Sequence, residues 1–429
     1  MRLLILDHYF DQDIAALRME GGAEVELRSI HYGLLHGEAM WIFPDEIVTS
    51  LEALVRPDLE PQRREWARRL AGLLEEQFSI QEFDAFVSPS DLFFYVRDAP
   101  AACHRLGVPF LVVQKETTIA PYLMGRHASE LREYSPPIAD HMTVCSELQR
   151  DFQIRAGAQP DSVTVTGQPR FDYYSSLGSE RIEAGYGEDG PVVLFFSYML
   201  DAYHPDHGAG RPVWSDLHRQ TEEGLWTLLD RGWRVLIKPH PQQPWETERR
   251  RIARAVGGAL EDRVFLIDPE EDVRRLIASA DVVVGFQTTA LLESMVGGRP
   301  VVYTGWDPES RRLQPGLVPF HEWRDVLVAV ERAEDLPGAV ERAAESRHGV
   351  GADARKLAAD YLGPVDGGAS RRTLDVLRQS VERFASKRSS EVERHRATVA
   401  TRRPPHPLRR RARMGLRTAR VRVGRALHR

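Results

Sequence analysis

The chain has 429 residues, 42% of them hydrophobic, with a formal net charge of −6, so it exceeds the size one core usually serves and two domains are expected. No apolar run approaches the roughly 18 residues of a membrane span, and Met1-Arg2-Leu3-Leu4-Ile5-Leu6 is too short for a secretory signal, which points to a cytoplasmic protein. Two cysteines, Cys103 and Cys145, supply neither a disulfide framework nor a metal cluster of their own, and both are expected to be reduced, buried and inert.

In the first half, apolar and β-branched runs recur at Leu3 to Leu6, Ala23 to Leu27, Ala85 to Ser88, Pro109 to Val113, His141 to Cys145 and Val163 to Thr166. Helical patterns or loops separate them. Gly167-Gln168-Pro169-Arg170-Phe171-Asp172 and the Gly-rich stretch from Gly178 to Gly190 read as a linker. The second half repeats the plan at Val192 to Phe196, Arg234 to Ile237, Val264 to Ile267, Asp281 to Val284, Pro300 to Tyr303 and Val326 to Val330. Strands alternating with helices in both halves imply two open parallel sheets facing a cleft. The expected divisions are an N-terminal Rossmann-like domain over 1–172, a linker over 173–190, a second Rossmann-like domain over 191–365, a helix over 366–390 and an Arg-rich tail over 391–429.

Two segments of the second half carry anion-holding chemistry. Lys238-Pro239-His240-Pro241 ends a buried strand, so Lys238 and His240 should emerge at its carboxyl end, where open parallel sheets bind ligands. Gly285-Phe286-Gln287-Thr288-Thr289 ends another strand and opens a helix, offering hydroxyls and unpaired N–H groups to negative charge. Together they suit a nucleotide phosphate. Each also has a plainer reading, since prolines end a strand whatever binds there. Asp268-Pro269-Glu270-Glu271 reads as an N-cap, an N1 proline and first-turn acids ahead of Val273. The helix opened by Thr288 has Leu291, Leu292 and Met295 on its apolar side, which puts Glu293 on another face, near the ligand.

These residues resemble the GT-B glycosyltransferases, and within them the bacterial surface-carbohydrate group of CDP-glycerol glycerophosphotransferases, polysialyltransferases and capsule enzymes. The likeness lies in Val165 to Asp172, in Lys238-Pro239-His240-Pro241 and in Ala280 to Gly285 with Thr288, Thr289, Glu293 and Gly298 to Val302. It implies a transferase that moves a sugar or alditol phosphate from a nucleotide donor, CMP or CDP linked slightly ahead of UDP, to a cell-surface glycan or lipid-linked acceptor. It further implies that Lys238 and His240 contact the donor phosphate, that Thr288 and Thr289 hold it beside Gly285 and Gln287, and that Glu293 accepts from the ribose. Oriented donors and a cation would then stabilise the leaving nucleotide without metal or other cofactor.

The general base does not carry over by motif, because the acidic-acidic-glycine run of the sialyl enzymes occurs only as Glu188-Asp189-Gly190, in the linker. An acceptor hydroxyl needs a carboxylate or imidazole at the mouth of the first sheet. Asp11 and Glu116 lead the candidates, followed by His8, with Asp7, Asp13 and Lys115 on the same loops; Asp13 and Asp7 serve equally well as a helix cap and a turn residue. His204-Pro205-Asp206-His207 reads as a substrate-side loop, and Trp226, Trp233, Phe93 and Phe94 as core. Two rivals stand beside the transferase: a non-hydrolysing UDP-sugar 2-epimerase, whose Asp-Ser-Gly-Gly run is missing here, and a catalytically silent glycan-binding protein.

Residues 402–429 hold 11 arginines and no acid, so the other 401 residues carry −17, the total of −6 less the tail's +11. Ala412, Leu416, Ala419, Val423 and Leu427 recur at helical spacing among those arginines. Residues 408–429 therefore read as a basic amphipathic helix for an anionic membrane surface, with a disordered tail or nonspecific polyanion binding as alternatives and no specific nucleic acid expected. The expected location is the cytoplasm, peripheral at the inner face of the cell membrane.

Overall fold

A computed structural model of the protein describes residues 1–401 except 49, 116–119, 178–181, 183–184, 187–189, 202–211, 242, 261 and 347–351, and over 391–401 only the main chain. The chain divides into two units, Met1–Ser380 and Val381–Arg429, and both sheets lie in the first. Strands β1 (Arg2–Leu6), β2 (Glu26–Ile30), β3 (Ala85–Ser88), β4 (Phe110–Val113), β5 (His141–Val144) and β6 (Val163–Val165) form a six-stranded sheet in the order β2-β1-β3-β4-β5-β6. Strands β7 (Val192–Phe196), β8 (Arg234–Lys238), β9 (Val264–Leu266), β10 (Val282–Gly285), β11 (Val301–Thr304) and β12 (Val328–Val330) form a second, ordered β12-β11-β10-β7-β8-β9. Every pairing is parallel. Parallel sheets are covered on both faces, which is why runs such as Val192–Phe196 and Ala85–Ser88 are apolar throughout and wholly buried.

Both sheets reverse their order once, between β1 and β3 and between β7 and β10. Such a switch point opens a crevice beyond the carboxyl ends of its strands. It fixes where function must be sought in each half.

Three local expectations are corrected. The second strand begins three residues later than the apolar run suggests, because Gly22–Glu24 form one 3-10 turn and Met1 O accepts from Glu26 N at 2.9 Å, setting the register Arg2↔Glu26. The helix foreseen after Asp268 starts instead at Val273, capped by Asp272, whose carboxylate accepts from Arg274 N; Asp268 makes a turn, accepting from Glu270 N at 2.8 Å. Gly167–Asp172 is no loose linker. Gly167 adopts φ 78°, a side chain there would meet Pro364 O at 2.8 Å, and Asp172 caps the helix Ala369–Thr401 by accepting from Ala369 N and Ser370 N at 2.8 and 2.7 Å. Gly363 approaches closer still, since a Cβ would fall 1.6 Å from Cys145 O. The chain thus returns from the second half to brace the first, and that helix runs through the expected tail boundary at 391.

Cys103 and Cys145 are free and buried, and burial pushes the Cys145 thiol up to about 12 and that of Cys103 above its usual range. No helix among the described residues is long and apolar enough to cross a membrane. The basic segment 408–429 and the His204 to His207 loop lie outside the described residues.

Candidate functional site

At the mouth of the first sheet the loop after β1 delivers His8 into a ring of aromatics. Its imidazole meets Tyr9, Tyr32 and Phe93 edge-on at centroid distances of 4.6, 4.3 and 4.6 Å, so Phe93 borders this site as well as the core. Burial, then Lys115 and His36, lower the His8 pKa to about 4 against the opposing charge of Asp7. A neutral imidazole therefore stands here at neutral pH, with its Nδ1 buried and without a protein partner. Tyr95 OH and Gln114 Oε1, from the loops after β3 and β4, share that condition. Tyr9 is held at φ 49°, the one non-glycine residue with a left-handed backbone among those described, and Lys115 Nζ lies 4.6 Å from its ring centroid. Strain of that kind gathers at binding turns, and the Tyr9 side chain is exposed there.

The leading carboxylate candidates fare differently. Asp11 is exposed in the first turn of the helix Asp11–Gly21, where its charge suits the helix N-terminus. Glu116 lies outside the described residues. Asp7 Oδ1 accepts from Tyr32 N at 2.9 Å, a turn role. Asp13 is buried and ties the first helix to the junction, accepting from Gln168 Nε2 at 2.7 Å and Arg170 N at 3.1 Å, with the Arg170 guanidinium 3.5 Å away.

At the mouth of the second sheet, His240 is half-buried just beyond β8 and Thr288 caps the helix Thr289–Val296 just beyond β10, so the two stand on either side of β7. Thr288 Oγ1 accepts from Ala290 N at 3.3 Å, which leaves its hydroxyl proton for a ligand; Thr289 is half-buried in the first turn. Burial lowers the His240 pKa, and its main-chain N–H donates to Gln243 Oε1 at 2.6 Å. Gly285 is needed for packing, since a Cβ would come within 3.1 Å of Leu291.

Three neighbours of this site do not have the surroundings foreseen. Lys238 is buried and its Nζ donates to Asp268 O and Pro269 O, both at 2.6 Å, so at most one N–H remains for a phosphate. Desolvation lowers its pKa to about 8 despite nearby Asp268 and Glu271. Gln287 turns inward: its amide donates to Val318 O and Tyr303 OH and accepts from Val318 N at 2.9 Å, which pins the loop after β11 instead of meeting a nucleotide. Glu293 is buried, not on a ligand-side face, and Tyr174 OH donates to its Oε2 at 2.8 Å. Burial raises the Glu293 carboxyl above its ordinary value, while Arg170, the Tyr174 bond and Arg274 act against that rise.

Glu293 thereby joins a junction network that the sequence does not reveal. Arg274 is held by Asp272 at 2.7 Å, donates to Arg170 O at 3.3 Å and lies over the Tyr173 ring, while Gln12 from the first helix donates to Asp272 Oδ1 at 3.1 Å. A second group missed by the sequence is Ser197, one residue past β7, whose Oγ is 2.8 Å from His218 Nε2 and accepts from Gln243 Nε2 at 3.2 Å. Among the described residues no cluster of three or more His, Cys, Asp or Glu side chains is placed to hold a metal ion.

No protein-family model matches the chain, and no curated protein matches it. Solved structures do. Staphylococcus aureus MnaA, solved with UDP, superposes with a TM-score of 0.53 at 15% identity, covering 87% of this chain and 94% of its own. The UDP-GlcNAc 2-epimerase of Methanocaldococcus jannaschii gives 0.51 at 14% identity over 88% and 100%. That of Neisseria meningitidis, bound to UDP-GlcNAc, gives 0.51 at 13% identity over 88% and 100%. The fold is of the GT-B type. At these identities the likeness extends to the fold alone, two parallel six-stranded sheets covered by helices.

Proposed function

We propose that the protein is an enzyme acting on a nucleotide-activated sugar, with the nucleotide phosphates held at the ends of β8 and β10 and the reacting sugar at the mouth of the first sheet. The observation that carries this reading is the placement of His240 and Thr288 on either side of β7, at the switch point of the second sheet. UDP is the first nucleotide to test, because MnaA was solved with UDP and the N. meningitidis epimerase with UDP-GlcNAc. The Lys238-Pro239-His240-Pro241 resemblance keeps CDP and CMP donors beside it.

In the transfer reaction, the neutral His8 imidazole takes the proton of an acceptor hydroxyl as its oxygen bonds to the donor sugar and the bond to the nucleotide phosphate breaks. The departing charge falls to the His240 imidazole, the Thr288 hydroxyl and the helix N-terminus behind it. A cell-surface glycan or lipid-linked acceptor suits this scheme. The second reading is 2-epimerisation, favoured by the resemblance in fold to the epimerases across nearly their whole length. The lack of an Asp-Ser-Gly-Gly run counts for transfer.

UDP-GlcNAc incubated with the protein, with and without glycan acceptors and followed by NMR, separates the readings. Inversion at the sugar's second carbon without acceptor is epimerisation, UDP release that needs an acceptor is transfer, and binding with neither is the silent reading. EDTA is expected to leave turnover unchanged; loss restored by magnesium or manganese overturns metal-independent charge stabilisation.

Contact with an anionic membrane surface through residues 408–429 belongs to the same proposal, since clustered arginines contribute up to about 1 kcal/mol each near such a surface. Truncation after Thr401 is expected to abolish flotation with anionic liposomes and spare UDP binding; equal flotation of both forms assigns membrane contact elsewhere.

A further inference from the structure

Behind the second mouth runs a chain of hydrogen bonds with one direction. Glu222 on the helix Ser215–Leu229 is buried, and Arg251 donates through Nη1 to its Oε2 and through Nη2 to its Oε1 at 2.6 Å. His218, one turn earlier and also buried, sets Nδ1 3.8 Å from Glu222 Oε1, a separation at which the carboxylate favours a proton on Nδ1. Nε2 is then an acceptor, and Ser197 Oγ at 2.8 Å donates to it. Ser197 in turn accepts from Gln243 Nε2 at 3.2 Å, and Gln243 Oε1 accepts from His240 N at 2.6 Å. Each step fixes the next. Donors point from His240 to His218 without a break, and such chains polarise and stiffen one another.

Serine, histidine and glutamate in that order also make a nucleophile-activating triad. The surroundings here favour a different task. Both Glu222 oxygens are engaged by the Arg251 fork, neither is within hydrogen-bond reach of Nδ1, and Ser197 already accepts from Gln243. These groups hold a proton in place and do not raise the nucleophilicity of the hydroxyl.

We propose that His218 is a positioning residue for the nucleotide site: acting through Ser197 and Gln243, it fixes the turn that carries His240. The inference rests on the reading that His240 meets a nucleotide phosphate. Its physical content is that the His240 main-chain N–H is engaged by Gln243, which fixes the backbone of that residue just beyond β8. A donor held before the ligand arrives needs no reorganisation on binding. Nothing in the local sequence marks His218, whose partners stand 21 and 4 residues away on either side.

The test uses the full chain labelled with 15N in its fifteen histidines, with ring signals assigned by single substitutions. In the unmodified protein at pH 7.5 His218 is expected to be neutral with its proton on Nδ1. Ser197→Ala is expected to shift the ring signals of both His218 and His240 and to weaken UDP and CDP binding about tenfold, the scale of one buried hydrogen bond. His218→Phe should weaken binding to the same extent, the double variant no further, and Ser197→Thr should restore the parent value, since one pathway carries both effects. A proton on His218 Nε2, or His240 signals indifferent to Ser197→Ala, overturns the relay. The tautomer is read on unmodified protein, so a variant that fails to fold does not shelter the idea. A parent whose His240 signals respond to neither UDP nor CDP overturns the nucleotide reading instead, and the ligand-free signals still judge the relay.

Discussion

The mouths of the two sheets differ in how most of their polar groups are satisfied. Beyond β7 and β8, Ser197, His218, Gln243 and the His240 N–H bond to one another and Lys238 is tied to two carbonyls, while Tyr198 OH, two residues past β7, is buried without a protein partner. Beyond β1, β3 and β4 the polar atoms His8 Nδ1, Tyr95 OH and Gln114 Oε1 are buried without protein partners. Buried polar atoms left unmatched are costly and uncommon, so the three gathered at the first mouth offer a substrate hydroxyl something to meet. On the proposed reading, the second mouth holds the nucleotide phosphate and the first completes its hydrogen bonds with the reacting sugar.

The largest effect expected from this contrast is on turnover. His8→Ala removes the acid–base group and should lower kcat by about 10²- to 10⁴-fold while UDP affinity and thermal stability stay near the parent values. His240→Ala should instead lower UDP affinity together with kcat, on the order of 10²-fold in kcat/KM. If the two variants show the same division between binding and turnover, the two mouths do not have separate tasks.

A second effect concerns acid. The His218 pKa is lowered to about 4 by burial and then by Arg251, so the unfolded chain, with an ordinary value near 6.5, takes up the proton first. The stability contributed by the neutral ring is present above about pH 6.5 and is lost as pH falls towards 4. Its upper size is roughly 3 kcal/mol. His8 acts in the same direction from a half-buried site. Denaturant unfolding between pH 7.5 and 4.5 should therefore show a slope that His218→Phe flattens. An unchanged slope means that the ring stays neutral in both states or is protonated in both, and the closed chain then loses its central member.

What the sequence makes legible follows from what each residue contacts. Parallel strands buried on both faces need unbroken apolar runs, and so Val192–Phe196 and Val282–Gly285 stand out with no partner known. The second strand is displaced because Met1, at the chain end, sets its register, which no periodicity reveals. Gln287 lies inside an anion-binding run yet turns away from it, since the partner that claims its amide is Val318, 31 residues on. The opening of a helix at Thr288 next to it is read correctly because the signals that start a helix are local. Ser197, His218 and Gln243 come from three elements with no common spacing, and Asp13 is read as a base candidate or a cap because Gln168 and Arg170 reach it across more than 150 residues. Local chemistry is legible; pairing across the fold is not.

The smallest effect is also the sharpest test of the contrast, because it compares the same substitution in the two environments. Tyr174→Phe removes the hydroxyl that donates to the buried Glu293 carboxylate, whose remaining support comes from Arg170 and Arg274. A buried acceptor deprived of its donor costs about 1–3 kcal/mol, which denaturant unfolding resolves easily. Tyr95→Phe removes a hydroxyl that is equally buried but has no protein partner, while the main-chain carbonyl that accepts from Trp66 Nε1 is untouched. Its cost should be close to zero, or the change slightly stabilising, since a desolvated hydroxyl is replaced by apolar surface of the same shape. The effect of Tyr95→Phe should surface only when a sugar is present: UDP binding stays unchanged, and KM for the sugar nucleotide or its acceptor rises several-fold as one hydrogen bond is lost. Equal destabilisation by the two variants means that Tyr95 is as firmly bonded as Tyr174, and the first mouth is then a saturated core instead of a place prepared for substrate.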